Sequence, residues 1–205
     1  KDQKYKSISL LTDSQHLNQI AHVKMIFEEY GYHVIIGRGK GQLNDGQVFG
    51  CEFYPAYDIQ KLVDAYIFLG QSMFHSASIA MSTEKPTYML DPYFEEYSRV
   101  NEFARGLEKK AILSIYKALD AERIGIVIGL KEGQFAQIRA LELKKSFEQL
   151  GKKTQLIALT DITNDRLQNF KGIDAFIQVA CPRISLDNHF EKPILSVPQA
   201  LALIK

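Results

Sequence analysis

Arg123-Ile124-Gly125-Ile126-Val127-Ile128 is a short, β-branched apolar run with the length and composition of a buried strand. Beyond it, Ala140, Leu143, Phe147 and Leu150 recur at helical spacing, and Gly151 stands where a helix of that phase should end. Thr154-Gln155-Leu156-Ile157-Ala158 is the next strand. The first half of the chain carries the same series. Ser7-Ile8-Ser9-Leu10-Leu11 reads as a strand, Ile20, Val23, Phe27 and Tyr30 form a helical face of identical spacing, and Gly31 closes it before His33-Val34-Ile35-Ile36. Further on, Asp64-Ala65-Tyr66-Ile67 is answered by Asp174-Ala175-Phe176-Ile177. Lys85-Pro86-Thr87-Tyr88-Met89-Leu90 is answered by Lys192-Pro193-Ile194-Leu195-Ser196-Val197. The chain is therefore an internal duplication.

Strands that alternate with helices imply parallel sheets joined by crossover helices. The expected fold is α/β, with two tandem similar domains, each a four-stranded mainly parallel sheet with flanking helices. Residues 1–121 make the first repeat and its long connecting helix, and residues 122–205 the second. The connector, residues 94–121, pairs Glu95 with Arg99, Glu102 with Arg105, and places Arg105 beside Lys109, so much of it should face solvent. Phe103, Leu107, Ala111 and Ile115 give it one apolar stripe.

Composition narrows the function classes. The 205 residues are 46% hydrophobic, 24% charged and 11% aromatic, an ordinary globular balance. A net charge of +1 supplies no basic field for a nucleic acid backbone. No apolar run approaches the roughly 20 residues of a membrane span. The polar start Lys1-Asp2-Gln3-Lys4 lacks both a signal-peptide core and an initiator Met, so a cytoplasmic location and a longer gene product are expected. Two cysteines are too few for a disulfide framework.

In an open parallel sheet, ligands bind beyond the carboxyl ends of the strands. The unusual residues of this sequence all fall there. Residues 33–36 run into Gly37-Arg38-Gly39-Lys40-Gly41 and on to Gly46-Gln47-Val48-Phe49-Gly50-Cys51. Residues 65–69 run into Gly70-Gln71-Ser72-Met73-Phe74-His75, and residues 87–90 into Asp91-Pro92-Tyr93. In the second half, Gly129-Leu130-Lys131-Glu132-Gly133-Gln134 and Ala180-Cys181-Pro182-Arg183 take the same places. The glycine-rich loop lacks the Gly-Lys-Ser/Thr ending of a phosphate loop and reads as a flexible connection. A helix start near Gly129 would present free N–H groups to an anion, with Lys131 adding charge. Each cysteine suits two readings, a small buried hydrophobe or a soft ligand. Arg183, two residues after Cys181, favours the thiolate and the second reading. With no Cys-x-x-Cys pair for zinc, a site at a domain junction that is completed by other ligands fits better.

Taken in this order, the motifs closely resemble those of the diphthamide-biosynthesis 3-amino-3-carboxypropyl transferases, in their archaeal homodimeric form. Gly-Gln-Val-x-Gly-Cys at residues 46–51 and Ala-Cys-Pro-Arg at residues 180–183 carry most of the resemblance. It implies three similar α/β domains, each giving one cysteine to a [4Fe-4S] cluster whose open iron binds S-adenosylmethionine. Reduction of the cluster would cleave a carbon–sulfur bond of the sulfonium, and the resulting 3-amino-3-carboxypropyl radical would add to a histidine of translation elongation factor 2. On this resemblance Cys51 and Cys181 are the metal ligands, and Lys131, Gln134, Arg183, Gln47, His75 and Asp91 the cofactor-binding residues. The catalytic residues stay unassigned. The two halves answer to the second and third domains, so the chain is expected to be a fragment lacking the first, inactive alone. Elongation factor 2 is the expected protein substrate, and a homodimer the expected assembly. Two other readings remain open from the residues themselves, a two-domain binding module for a small metabolite and a non-catalytic partner subunit.

Overall fold

A computed structural model describes residues 5–187 and 190–204. The chain divides into two compact units, residues 1–106 and 107–205. The division falls inside the connecting helix, which the sequence reading assigned whole to the first repeat.

The first unit contains β1 (Ser7–Thr12), α1 (Ile20–Glu29), β2 (His33–Ile35), α2 (Tyr54–Asp58), β3 (Ala65–Leu69), α3 (Met73–Thr83), β4 (Thr87–Asp91) and β5 (Glu96–Arg99). Its sheet has the order β2-β1-β3-β4-β5. The first four strands are parallel, and β5 turns back antiparallel on β4, with Leu90 opposite Tyr97 and Asp91 opposite Glu96. After α4 (Asn101–Ala118), the second unit continues with β6 (Arg123–Gly129), α5 (Gln137–Gln149), β7 (Lys153–Leu159), α6 (Asn164–Gln168), β8 (Ala175–Gln178), α7 (Pro182–Asp187), β9 (Ile194–Leu195) and α8 (Val197–Ala202). Its sheet, β7-β6-β8-β9, is parallel throughout and repeats the first four positions of the other. Ile8 lies opposite Ala65 as Ile124 lies opposite Ala175.

Three expectations need correction. The first sheet has five strands, because residues 96–99 form a hairpin strand rather than the start of the connector helix. The cause is the turn before it. Asp91 Oδ1 accepts from the Tyr93 and Phe94 amides at 2.8 and 3.2 Å, and Glu95 adopts φ 53°, so the chain reverses directly onto β4. Of the apolar stripe expected on α4, Leu107 is buried and Ala111 and Ile115 are half-buried beside Ala104 and Ala118, but Phe103 stays 42% exposed. Finally, Tyr30 and Leu150 lie just past their helices and are 71% and 49% exposed, so only the three preceding residues of each face pack inward.

The residues that betray the duplication hold the amino-terminal edges of the two sheets. Asp64 Oδ2 accepts from the amides of Lys6 and Ser7 at 2.8 and 2.9 Å, and Asp174 Oδ2 from those of Glu122 and Arg123 at 3.2 and 2.9 Å. Lys85 Nζ reaches the Val63 carbonyl at 2.6 Å, and Lys192 Nζ the Ile173 carbonyl at 2.6 Å. Each bond ties the loop entering one strand to its neighbour, which is why the same residue types recur.

Both sheets bury apolar residues on two faces. In the first unit α2 and α3 cover Leu11, Tyr66 and Phe68, and α1 lies over Ile8, Leu10 and Val34. In the second, α5, α8 and the end of α4 cover Ile124, Ile126, Ile177 and Leu195. The first unit has a hairpin strand where the second has α8. A cavity of about 640 Å³ opens there, lined by Tyr5, Phe27, Tyr32, Tyr88 and Tyr97 among others.

Candidate functional site

Among the described residues, every motif singled out from the sequence lies beyond the carboxyl end of a strand. The first cysteine loop leaves β2 and comes back to β1. Thr12 N–H donates to the Gly46 carbonyl at 2.8 Å and Val48 N–H to the Thr12 carbonyl at 2.8 Å, bridging Gln47 alongside Thr12. Gln47 is 5% exposed. Its Oε1 accepts from the Asn44 amide and side chain at 2.9 and 2.8 Å, and its Nε2 donates to Ser14 Oγ at 2.9 Å. Its carboxamide is thus engaged in building the loop. The glycine-rich stretch before it is a closed loop rather than a flexible one, since Gly39 N–H donates to Asp45 Oδ1 at 2.7 Å and Gly46 N–H to the Gly37 carbonyl at 2.8 Å.

Cys51 is exposed, at the tip of a tight reversal in which Phe49 and Glu52 pair. The reversal is pressed against the first turns of α3. Ser78 Oγ donates to the Gly50 carbonyl at 3.0 Å, and a Cβ on Gly50 would overlap the Phe74 ring. His75 lies in the same turn, its N–H donating to the α3 cap Ser72 Oγ at 3.2 Å. Its half-buried ring sits edge-on to Phe49 and Phe68, with centroids 6.1 Å away, and tilted against Phe74 at 6.3 Å. The structure therefore brings Cys51 and His75 onto one substructure. Asp91, 8% exposed, caps its own turn and also accepts from Gln71 Nε2 at 3.3 Å, linking the ends of β3 and β4.

In the second unit, Gly129 ends β6 between two other loops. A Cβ there would stand 2.8 Å from Ala180 Cβ and 3.0 Å from Gln134 Cβ. Only a residue without a side chain lets the loop of Gln134 meet the loop of Cys181. The turn itself is closed by Gln134 N–H donating to the Lys131 carbonyl at 3.0 Å, and α5 begins at Gln137, later than the helix start expected near Gly129. Lys131 Nζ pairs with Asp161 Oδ1 at 2.6 Å, and Arg166 lies 3.6 Å from the other oxygen. The Lys131 ammonium is the main reason the Asp161 carboxyl is held below its ordinary range. Cys181 is half-buried and immediately precedes α7, and Arg183 is exposed on the first turn of that helix.

The duplication does not relate the two cysteines. Cys51 follows the second strand of its repeat, whereas Cys181 follows the third. The counterpart of Cys181, by its place immediately before the third helix, is Ser72. Neither cysteine is in a disulfide, and among the described residues no three or more His, Cys, Asp or Glu side chains gather as a metal site. Sequence reasoning named Gly129 only as part of its motif, and missed Asp161 and Gln178. The last has a visible signal, because a carboxamide interrupts the apolar strand exactly where the first repeat has Phe68.

The whole chain, residues 1–205, matches the family model described as "Putative diphthamide synthesis protein". It is 30% identical over 203 residues to the 2-(3-amino-3-carboxypropyl)histidine synthase of Pyrococcus horikoshii, covering 97% of this chain and 57% of that protein. It is 32% identical over 186 residues to subunit 1 of the synthase of Saccharomyces cerevisiae, covering 87% of this chain and 42% of that one. The crystal structure of Dph2 from Pyrococcus horikoshii with a 4Fe-4S cluster superposes with a TM-score of 0.85 at 30% identity, over 97% of this chain and 57% of that one. The chain thus spans little more than half the length of the archaeal relative. Its motifs, its paired sheets and its match from end to end agree, and the chain belongs to the diphthamide synthesis protein family.

Proposed function

We propose that this chain is part of an iron–sulfur, S-adenosylmethionine-dependent enzyme that transfers a 3-amino-3-carboxypropyl group to a histidine of translation elongation factor 2. The observation that carries the reading is the placement of both cysteines, one in each unit, on braced loops beyond the carboxyl ends of parallel strands. Thiolates are the donors iron–sulfur clusters use, and two of them fit two ligand positions of a cluster rather than a whole set. When bound, a reduced cluster supplies the electron that breaks a carbon–sulfur bond of the sulfonium.

The chain's own residues have simpler duties. Cys51 and Cys181 hold iron. Lys131, Gln134 and Arg183 bind the carboxylate or ribose of S-adenosylmethionine, with Asp161 fixing the Lys131 ammonium in place. Gln47, His75 and Asp91 act one step further out, shaping the loops around the cofactor. The assembly is a homodimer, and the two repeats correspond to residues 1–121 and 122–205.

The test is anaerobic reconstitution, with iron and sulfide, of the gene product that carries this sequence. Iron content, visible absorbance and label transfer from carboxyl-labelled S-adenosylmethionine to elongation factor 2 are then measured. Cys51→Ser and Cys181→Ser should each lose the cluster absorbance and the transfer. The 205-residue chain alone should take up iron poorly and transfer nothing. Undiminished transfer by both variants would overturn the assignment.

A further inference from the structure

Gln178 ends β8 and is 2% exposed, in a strand whose other members are apolar. Its counterpart in the first repeat is Phe68, which is fully buried. A carboxamide in such a place costs free energy unless all its polar atoms are bonded, and here they are. Oε1 accepts from the Ala180 amide at 2.9 Å, and Nε2 donates to the Cys181 carbonyl at 3.0 Å, with Ser185 Oγ a further 3.4 Å neighbour. The amide nitrogen of Ala180 can only donate and the carbonyl of Cys181 can only accept, so the orientation of the carboxamide is set by its partners.

The comparison between repeats shows what this accomplishes. Before α3, Ser72 caps the helix with its own hydroxyl, which accepts from the His75 amide. Before α7 the equivalent position is Cys181, and a thiol is a weak acceptor that caps poorly. Gln178 grips the backbone on both sides of Cys181, through Ala180 N–H and Cys181 C=O, without drawing on the sulfur. Ser185 Oγ adds a bond to the Pro182 carbonyl at 3.0 Å, on the first turn of α7.

We infer that Gln178 is a positioning residue for Cys181. It fixes the loop that presents the thiol to iron, and the inference rests on the reading of Cys181 as a cluster ligand. Its tests do not need a loaded enzyme. In the wild-type chain, the Ala180 amide should exchange with deuterium more slowly than an unprotected loop amide, although it lies outside any helix or strand. In Gln178→Met, which keeps length and loses both bonds, alkylation of Cys181 by iodoacetamide should rise about five-fold relative to Cys51, the ratio set by the free energy of one hydrogen bond. Cys51, in the other unit, is the internal reference: general loosening raises both rates, whereas lost positioning raises one. An unprotected Ala180 amide overturns the inference even if the variant does not fold, and so does an unchanged Cys181-to-Cys51 ratio in a folded variant. Iron uptake separates this inference from the cluster reading. If Cys181→Ser binds iron as well as wild type, the ligand assignment fails, while a selective rise in Cys181 alkylation would still establish the grip of Gln178 on the loop.

Discussion

At Gly50 the site depends on an absent side chain. The carbonyl of this residue is held by Ser78, and its Cα faces the Phe74 ring so closely that no Cβ fits between them. Gly50→Ala should therefore destabilise the first unit by about 1–3 kcal/mol, the usual range for forced overpacking. Phe74→Leu in the same chain should recover part of the loss, because a smaller side chain opens room at the ring position. Urea unfolding of both single variants and the double variant gives the coupling, and strict additivity would show that the contact is not the cause. None of this was legible in the motif itself, which shows a glycine before a cysteine and hides the ring that requires it. The signal at Gln178 was visible but ambiguous. One polar residue in an apolar run looks the same whether it faces solvent or holds a buried loop, and only its bonds distinguish the two.

At the level of elements the sequence was more informative. The parallel strands with their flanking helices and the Gly31 and Gly151 terminations follow from periodicity, because burial on both sheet faces imposes apolar patterns that local effects do not disguise. The hairpin strand β5 escaped for the opposite reason. Glu95, Glu96, Tyr97, Ser98 and Arg99 have no apolar alternation, and their charges mimic a solvent-exposed helix; the reversal is set by Asp91 bonding to backbone two and three residues on. The end of α3 carries a related strain. Glu84 is its C-cap residue with φ 57°, and its amide bonds to the Ala80 carbonyl at 2.9 Å. Side chains adopt this left-handed conformation at a cost that glycine avoids. Glu84→Gly should accordingly stabilise the chain by up to about 1 kcal/mol, the strain relieved being partly offset by the greater freedom of the unfolded chain. An unchanged or lower urea midpoint would mean that Glu84 makes compensating contacts in the fold.

Across the whole molecule the duplication separates framework from chemistry. Residues that recur, Asp64 with Asp174 and Lys85 with Lys192, all bind backbone at the amino-terminal sheet edges. The residues that differ between repeats, such as Cys51, Lys131 and Cys181, gather at the carboxyl-terminal edges. The framework predicts a pH dependence of stability that the site residues should not affect. Asp174 has its carboxyl lowered to about 2, chiefly by the Arg123 guanidinium, which donates to it at 2.7 Å, with the Arg123 and Glu122 amides adding to the effect. Asp64 is lowered as well, by the amides of Ser7 and Lys6. A carboxyl whose pKa is lower in the folded chain than in the unfolded one stabilises the fold fully when the pH is above the unfolded value. That contribution is lost as the pH falls from the ordinary 3.8 toward about 2, because the unfolded chain takes up the proton first. The Asp64→Asn, Asp174→Asn chain should be less stable than wild type at neutral pH, since both positions lose the negative charge that strengthens these bonds and Asp174→Asn also loses the second oxygen that accepts from the Arg123 guanidinium. Between about pH 4 and pH 2, however, its urea midpoint should fall less steeply than that of wild type. Parallel curves over that range would show that the two carboxylates are not the groups that make the fold sensitive to acid.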